Sequence, residues 1–314
     1  MPCAVGIAIW NNRNLLPGLK QSLSALSTQP RLVLLFDNGS TDDSAGWIAQ
    51  NWPEAVLLKS PVNTGFAEAH NRLIEAAFAN PEITAYLALN SDALLDPDFF
   101  KSAFPALDPE MKMGAVQPLV LHLDETMKPT GRIDTTGIGF NARTGLFIDR
   151  HRGETPGAAH QTAGPVFGPS GAVALYHRDW LAAVKDPEHG YFDRRFFAYY
   201  EDVDISWRAR RLGWSAVFIP GAKAYHQRYG SLGARPEQEK LLYRNRLWLH
   251  LKNEGWGSLL APKLAGRELL NLLRAATTRP WLRDVLAEKF RTAVAIGRGY
   301  DPKLEKIDPR DYPA

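Results

Sequence analysis

LVLLFDNGSTD, residues 32–42, is a short apolar run that stops abruptly at small polar side chains. A run of that length bounded by turn residues reads as a buried strand. Ser40 or Thr41 can then cap a helix that starts near Asp42. The pattern repeats on both sides. Residues 4–10 are apolar and Asn11–Leu26 has helical spacing; a strand is expected at 55–59, a helix from about Phe66 to Ala79, and a further strand at 84–89. Strand and helix in strict alternation imply βαβ units around a mainly parallel sheet. Right-handed crossovers bring the carboxyl ends of such strands to one edge, where ligands bind. Asp37, Asn63 and Asp92 fall at or just past such ends.

The alternation breaks at residues 120–168, which are rich in Gly, Thr, Pro and Arg, with strand-like pieces such as Gly145–Asp149. They read as a long excursion or hairpin able to close over a substrate. Regular structure is expected again at Gly171–Tyr176 (strand), Asp179–Val184 (helix), Asp202–Leu212 (helix) and Ser215–Ile219 (strand). From Glu237 onward the chain is mostly helical. Leu259, Leu260, Leu264, Leu269, Leu270, Leu272 and Leu273 are interleaved with Lys263, Arg267 and Arg274, an amphipathic pattern. The expected division is a body, 1–236, and a helical extension, 237–314.

The chain's 314 residues, 45% hydrophobic and 23% charged, suffice for a full soluble core. The net charge of +3 is uneven: residues 241–300 hold eleven Lys/Arg and four Asp/Glu, a net +7. A basic tail on a mildly acidic body suits an anionic surface, although a solvated helical face explains the same charges more simply. Trp248, Trp256 and Trp281 on the other face would let the tail lie at headgroup depth on a membrane; alternatively it packs on the body. Nothing overall calls for nucleic acid. Cys3 is the single cysteine, so neither an intrachain disulfide nor a cysteine zinc site can form. The amino terminus reads as a strand, not a signal peptide. No apolar run reaches the roughly 18 residues of a membrane span. The expectation is a cytoplasmic protein whose membrane contact would be peripheral, at the inner face of the plasma membrane.

Chemistry concentrates in a few places. In FFAYYEDVDISWRARRLGW, residues 196–214, Glu201, Asp202 and Asp204 sit among aromatic and aliphatic residues. Acids crowded in an apolar setting desolvate and repel one another, which raises the pKa of at least one and makes it a candidate proton acceptor. In LALNSDALL, residues 87–95, a strand ends in Asn90-Ser91-Asp92. One carboxylate there can hold a divalent cation on a nucleotide diphosphate, because phosphates and water fill the remaining coordination positions. Asp37-Asn38-Gly39-Ser40-Thr41-Asp42 can hydrogen-bond a base or ribose, or can be a plain turn. Asn63-Thr64-Gly65-Phe66-Ala67 opens a helix whose amino end favours a diphosphate. Phe167–Ala172 is a glycine-bearing loop before a strand. His226, between aromatics in AYHQRYGSLG, falls at the mouth of the same sheet; a lone histidine is usually structural, but here it can serve a metal or a diphosphate.

Taken in order, VGIAIWNN, DNGSTD, NTGFAEAHN, LNSD, GPSGA, FFAYYEDVDISWRARRLGW and YHQRYGS resemble family 2 inverting glycosyltransferases of the GT-A fold, most closely the rhamnosyltransferase-like branch. The resemblance covers about residues 4–250. It implies an α/β fold with a Rossmann-like, mainly parallel sheet flanked by helices. It implies that Asp37 binds the nucleobase, that Asn63 and Gly65 lie near the ribose and diphosphate with Ser91 also at the donor, and that Asp202 is the general base. Asp92 and His226 would hold Mg²⁺ or Mn²⁺. Asn90 stands where stricter members have Asp, a change that the rhamnosyltransferase-like branch commonly tolerates.

The expected reaction is transfer of a sugar, L-rhamnose as first guess, from a nucleotide diphosphate donor to a glycan or lipid-linked acceptor in bacterial cell-surface polysaccharide synthesis. Donor choice would depend on the 120–170 excursion and on Trp207 and Trp214. Two rivals stand beside this. A nucleotide-sugar-forming nucleotidyltransferase would need a glycine-rich triphosphate loop after the first strand, where this chain has Asn11-Asn12-Arg13-Asn14. A non-catalytic subunit of a glycan assembly complex would have little reason to keep Asp92, Glu201, Asp202 and His226 together.

Overall fold

The computed structural model describes residues 1–228, 235–260, 262–277 and 309–312, with six single residues between 283 and 296. The first half alternates as expected: β1 (Cys3–Ile9), α1 (Leu16–Ser24), β2 (Leu32–Asn38), α2 (Ser44–Asn51), β3 (Val56–Ser60), α3 (Gly65–Phe78) and β4 (Ala85–Asn90). There follow β5 (Ala93–Leu95), α4 (Phe99–Ala103), β6 (Met113–Leu123), β7 (Pro129–Thr135), β8 (Ile138–Asn141), β9 (Leu146–Asp149), β10 (Gly164–Val166) and β11 (Val173–His177). The described part continues with α5 (Arg178–Val184), α6 (Glu201–Arg211), β12 (Ser215–His226), α7 (Arg235–Glu254) and α8 (Pro262–Thr277).

The main sheet runs β10-β12-β6-β11-β4-β1-β2-β3, with β5 added to β12 and β7 to β6. β4, β1, β2 and β3 are mutually parallel, while β11 is antiparallel to both its neighbours. The two-residue side-chain period of a strand separates two cores. In β1 and β4, Val5, Ile7, Leu87 and Leu89 face the layer that includes α1. Ala4, Tyr86 and Ala88 face the layer of α3, α5 and α6. A third cluster joins the β8–β9 hairpin to the helices: Phe147, Phe167 and Trp207 meet Leu247, Trp248 and Leu251 of α7.

Three local differences from the sequence reading have physical causes. α1 starts at Leu16 rather than Asn11, with Pro17 in its first turn. Asn11 has φ of 54° and its side-chain oxygen accepts from the Thr41 N–H at 2.8 Å, so it ties two loops together instead of winding a helix. α2 starts at Ser44, and neither Ser40 nor Thr41 caps it; Asp42 Oδ1 accepts from the Ser44 N–H at 3.0 Å. β12 runs past Ile219 to His226. Its register against β6 shifts between Ile219 and Lys223, where Pro220 has no N–H to give the ladder.

The 120–168 excursion resolves into the β6–β7 pair, the separate β8–β9 hairpin and the edge strand β10. Among the described residues no helix is long and apolar enough to cross a membrane. Of the tail's tryptophans, Trp248 is buried against Phe196, Trp256 is about half exposed, and Trp281 lies outside the described residues. Headgroup depth is therefore ruled out for Trp248.

Candidate active site

At the carboxyl ends of β1, β2 and β4 lies a cavity of about 350 Å³. Asn63, Gly65, Ser91, Asp92, Asp202 and His226 all line it. Asp37 does not. It is buried, and its Oδ1 accepts from the Ser40 N–H at 3.0 Å. Its neighbour Asn38 lines the cavity and organises it. Asn38 Oδ1 accepts from the Thr64 N–H at 2.7 Å, and Nδ2 donates to the Gly65 carbonyl at 3.1 Å. Asn63 Oδ1 accepts from the Gly65 N–H at 2.9 Å in the turn that leads into α3. Gly65 has φ of 83°, and a Cβ there would stand 2.5 Å from the Phe197 carbonyl oxygen, so only glycine fits. Trp207 and Trp214 are not among the lining residues, so the structure does not support the expected role for them; Trp207 belongs to the third core cluster and Trp214 packs against the second.

The clustered acids separate into distinct environments. Asp204 is buried and paired with Lys252 Nζ at 2.8 Å and Arg208 Nε at 2.9 Å; burial opposes its charge, but these cations hold its carboxyl below the usual range. It fastens α6 to α7. Glu201 is buried with Oε2 lacking a hydrogen-bond partner, and burial plus the charge of Asp202 push its pKa well up. Asp202 is partly exposed to the cavity that it lines. Desolvation raises it to about 6, against the Gly171 N–H that donates to Oδ2 at 3.0 Å and with help from the charge of Asp149. A carboxylate in that range is ionised at neutral pH yet basic enough to take a proton.

The backbone leading into α6 is strained. Phe197, Tyr199 and Tyr200 have φ of 66°, 69° and 69°. Left-handed conformations at such bulky residues persist only where the surroundings impose them. The Ala67 N–H in the first turn of α3 donates to the Phe197 carbonyl at 3.1 Å. From α7, the Asn245 amide reaches the carbonyls of Phe196, Ala198 and Tyr199 at 2.8–2.9 Å. Asn245→Ala should free this segment, lower the melting temperature by an amount matching about 1–3 kcal/mol, and reduce turnover. Unchanged thermal unfolding and unchanged turnover would contradict that role.

Across the cavity, pairing of β5 with β12 sets Ala93 opposite His226 and brings His226 to Asp92. His226 Nε2 lies 3.2 Å from Asp92 Oδ1, and Nδ1 lies 2.9 Å from Asp134 Oδ2. Asp134 is also bound by Arg228, which reaches Asp149 at 2.6 Å. Burial disfavours the imidazolium, but Asp92 and Asp134 outweigh it and raise the His226 pKa to about 9. Two ligands at neighbouring positions of an octahedral ion, each about 2.1 Å from it, stand about 3 Å apart. The Asp92–His226 spacing fits that once a cation displaces the proton on Nε2, and a carboxylate fixing the far nitrogen is the usual partner of a metal-bound histidine. Among the described residues no group of three or more His, Cys, Asp or Glu could hold a metal by itself. A cation here would therefore need further ligands from a bound substrate or from water.

The family model described as "Glycosyltransferase like family 2" matches residues 3–246. The chain belongs to that family. The N-acetylglucosaminyl-diphospho-decaprenol L-rhamnosyltransferase of Mycobacterium tuberculosis (strain H37Rv) is 30% identical to this glycosyltransferase over 249 residues, 75% of this chain and 80% of the relative. Three solved structures are similar in fold. One is GalNAc-T7 with UDP, GalNAc and Mn²⁺ (TM-score 0.55, 12% identity, 80% of this chain and 50% of that one). Another is the mannosyltransferase PcManGT from Pyrobaculum calidifontis with GDP-Man and Mn²⁺ (0.51, 16%, 94% and 75%). The third is S. aureus TarS 1–349 (0.51, 13%, 98% and 95%). The fold of this glycosyltransferase is accordingly GT-A.

The sequence pointed to Asn38 only as part of the Asp37–Asp42 turn and did not single out Asp134, Asp149 or Asn245. Asn38 adjoins a residue that it did single out. Asp134 lies in an unpatterned stretch, and its link to His226 spans 92 positions. Asn245 sits in an ordinary helical pattern, where nothing distinguishes a buried amide from a solvated one.

Proposed function

We propose that this glycosyltransferase moves a sugar from a nucleotide diphosphate donor to a hydroxyl of a lipid-linked glycan acceptor, with inversion, in bacterial cell-surface polysaccharide synthesis. L-rhamnose is the first choice of sugar, by likeness to the mycobacterial relative. The observation that carries the reading is a single cavity with two poles: Asp202, basic and ionised near neutrality, and the Asp92–His226 pair.

In this reading Asp202 takes the acceptor proton as the hydroxyl oxygen attacks the anomeric carbon from the face opposite the diphosphate. The Gly171 N–H steadies the carboxylate at Oδ2. Burial and the charge of Asp202 push the pKa of the neighbouring Glu201 well up, which disfavours a second charge beside the base. Asn38, Asn63 and Gly65 would shape the donor wall, with the nucleobase assigned to Asp37 at the same strand end by family likeness, and Ser91 is bonded to Asn12 at 2.9 Å. Asp92 and His226 would hold Mg²⁺ or Mn²⁺, which when bound neutralises charge developing on the departing diphosphate. Inversion in one displacement needs no protein nucleophile. The body, 1–236, would be followed by an extension, 237–314, whose first helix also completes the cavity through Gln238 and Leu242 and which would contact a membrane peripherally.

The test is a panel of nucleotide sugars scored by released nucleoside diphosphate in the presence of a lipid-linked N-acetylglucosamine acceptor. Thymidine-diphosphate-linked rhamnose is expected to give the highest rate. A clear preference for a uridine- or guanosine-linked sugar would overturn the donor assignment, and absence of release with every donor would overturn the transferase reading.

A further inference from the structure

A second, basic cleft lies beside the catalytic cavity. Arg143, Arg246, Arg267 and Arg274 line it, with Thr144 and Tyr243 between them. Arg246 is only 8% exposed; its Nη2 is 3.3 Å from Glu268 Oε1, while its Nε is buried with no hydrogen-bond partner. Arg267 donates to the Thr144 carbonyl at 2.8 Å. Desolvation and the adjacent Arg246 both work against the charge of Arg267. Crowded guanidiniums with one buried N–H unmatched are a built anion site, and paired Arg forks suit phosphate oxygens.

Two elements carry the cleft directly into the catalytic cavity. On α7, Gln238 and Leu242 line the cavity, and Tyr243 and Arg246 line the cleft. Leu242 and Arg246 are four residues apart, about 6 Å along a helix axis. On the β8–β9 hairpin, Ile138 and Asp149 at the base line the cavity, and Arg143 and Thr144 at the tip line the cleft. Tyr200 stands between: its phenol feels the charges of Arg246 and Arg267 as well as that of Asp202. Outward from the cleft, α8 exposes Leu269, Leu270 and Leu273 at 59%, 44% and 55%, and Leu270 is itself part of the lining. These positions share one helical face. A base for a sugar hydroxyl, then an anion site, then an apolar stripe follow one another in space.

We infer that the cleft binds the diphosphate of a lipid-diphosphate-linked sugar acceptor, with its lipid chain laid on the leucine face of α8 and its sugar delivered to Asp202. The inference rests on the lipid-linked acceptor reading above and assigns the residues that would recognise such an acceptor. Membrane contact through the extension would then come from the acceptor and the α8 stripe together.

Two measurements on the full chain test this. In the first, farnesyl diphosphate is titrated calorimetrically in chelator. Wild type should bind saturably, and Arg143→Gln/Arg274→Gln, both exposed positions whose loss spares the core, should raise Kd about tenfold or more. Arg246→Gln should do the same. Leu269→Ser/Leu273→Ser should weaken farnesyl diphosphate but not inorganic diphosphate. No saturable binding, equal binding by the arginine variants, or displacement by phosphatidylglycerol vesicles as effective as by the probe itself would overturn the assignment. In the second, acceptor KM is compared for N-acetylglucosamine on a lipid diphosphate and on an octyl chain lacking it. Arg143→Gln/Arg274→Gln should raise the first KM and leave the second unmoved; equal movement of both, or of neither, would overturn it. If wild type transfers to neither acceptor, the functional reading fails on that result. The calorimetry then decides the cleft alone: arginine-dependent binding supports a lipid-diphosphate site, and its absence removes it.

Discussion

Asp202→Asn is expected to cut sugar transfer by about 10²–10⁴-fold, the usual contribution of a positioned general base, while donor affinity stays largely intact. The carboxylate at the start of α6 lines the cavity and titrates near 6. For wild type, kcat/KM should therefore fall about tenfold per pH unit below roughly pH 6, where Asp202 becomes protonated. The residual activity of the variant should lack that limb. The same shift has a stability consequence. Folding raises the pKa of Asp202, so its proton stabilises the fold below the ordinary carboxylate range, and that contribution disappears as pH rises through about 6. The amide cannot lose a proton. Relative to wild type, the melting temperature of Asp202→Asn should rise between pH 4.5 and 7.5, by an amount matching on the order of 2 kcal/mol. Near wild-type turnover would remove Asp202 as the base and direct attention to Glu201.

His226→Ala is expected to lower transfer by about 10²–10³-fold and to abolish stimulation by Mg²⁺ or Mn²⁺ after chelator treatment, since charge neutralisation at the leaving diphosphate is worth several kcal/mol. Asp92 and His226, 3.2 Å apart, are the two protein ligands in this reading. Asp134→Asn probes the same centre from behind, because Asp134 fixes the far nitrogen of His226 at 2.9 Å. Loss of such an orienting carboxylate typically weakens metal affinity 10–100-fold, so the variant should need correspondingly more metal for half-maximal rate. Full activity in excess chelator, or an unaltered metal response in His226→Ala, would contradict this.

The parallel half of the sheet was legible because each strand is an apolar run ending in small polar residues, and that pattern is local. The same logic located Asn63, Gly65, Ser91 and Asp92, which the cavity brings together with Asp202 and His226. Asp37 marked the right strand end, but its side chain closes the turn with Ser40 while Asn38 faces the cavity. What escaped was non-local. The His226–Asp134 link and the hold of Asn245 on the strained aromatic segment join residues far apart in the chain, where no spacing rule applies. The leucine stripe of the tail was visible, yet its residues divide: Leu264 is buried, while Leu269 and Leu273 are exposed. Periodicity alone gives a helix an apolar face without saying what covers it.

The most direct test is acceptor-dependent transfer by the wild-type protein, followed by mass spectrometry of the lipid-linked product and of released nucleoside diphosphate. With thymidine-diphosphate-rhamnose, lipid-linked N-acetylglucosamine and Mg²⁺, the expected result is one deoxyhexose added per acceptor and an equal amount of nucleoside diphosphate. Diphosphate release without acceptor modification, or no release with any nucleotide sugar, would contradict it.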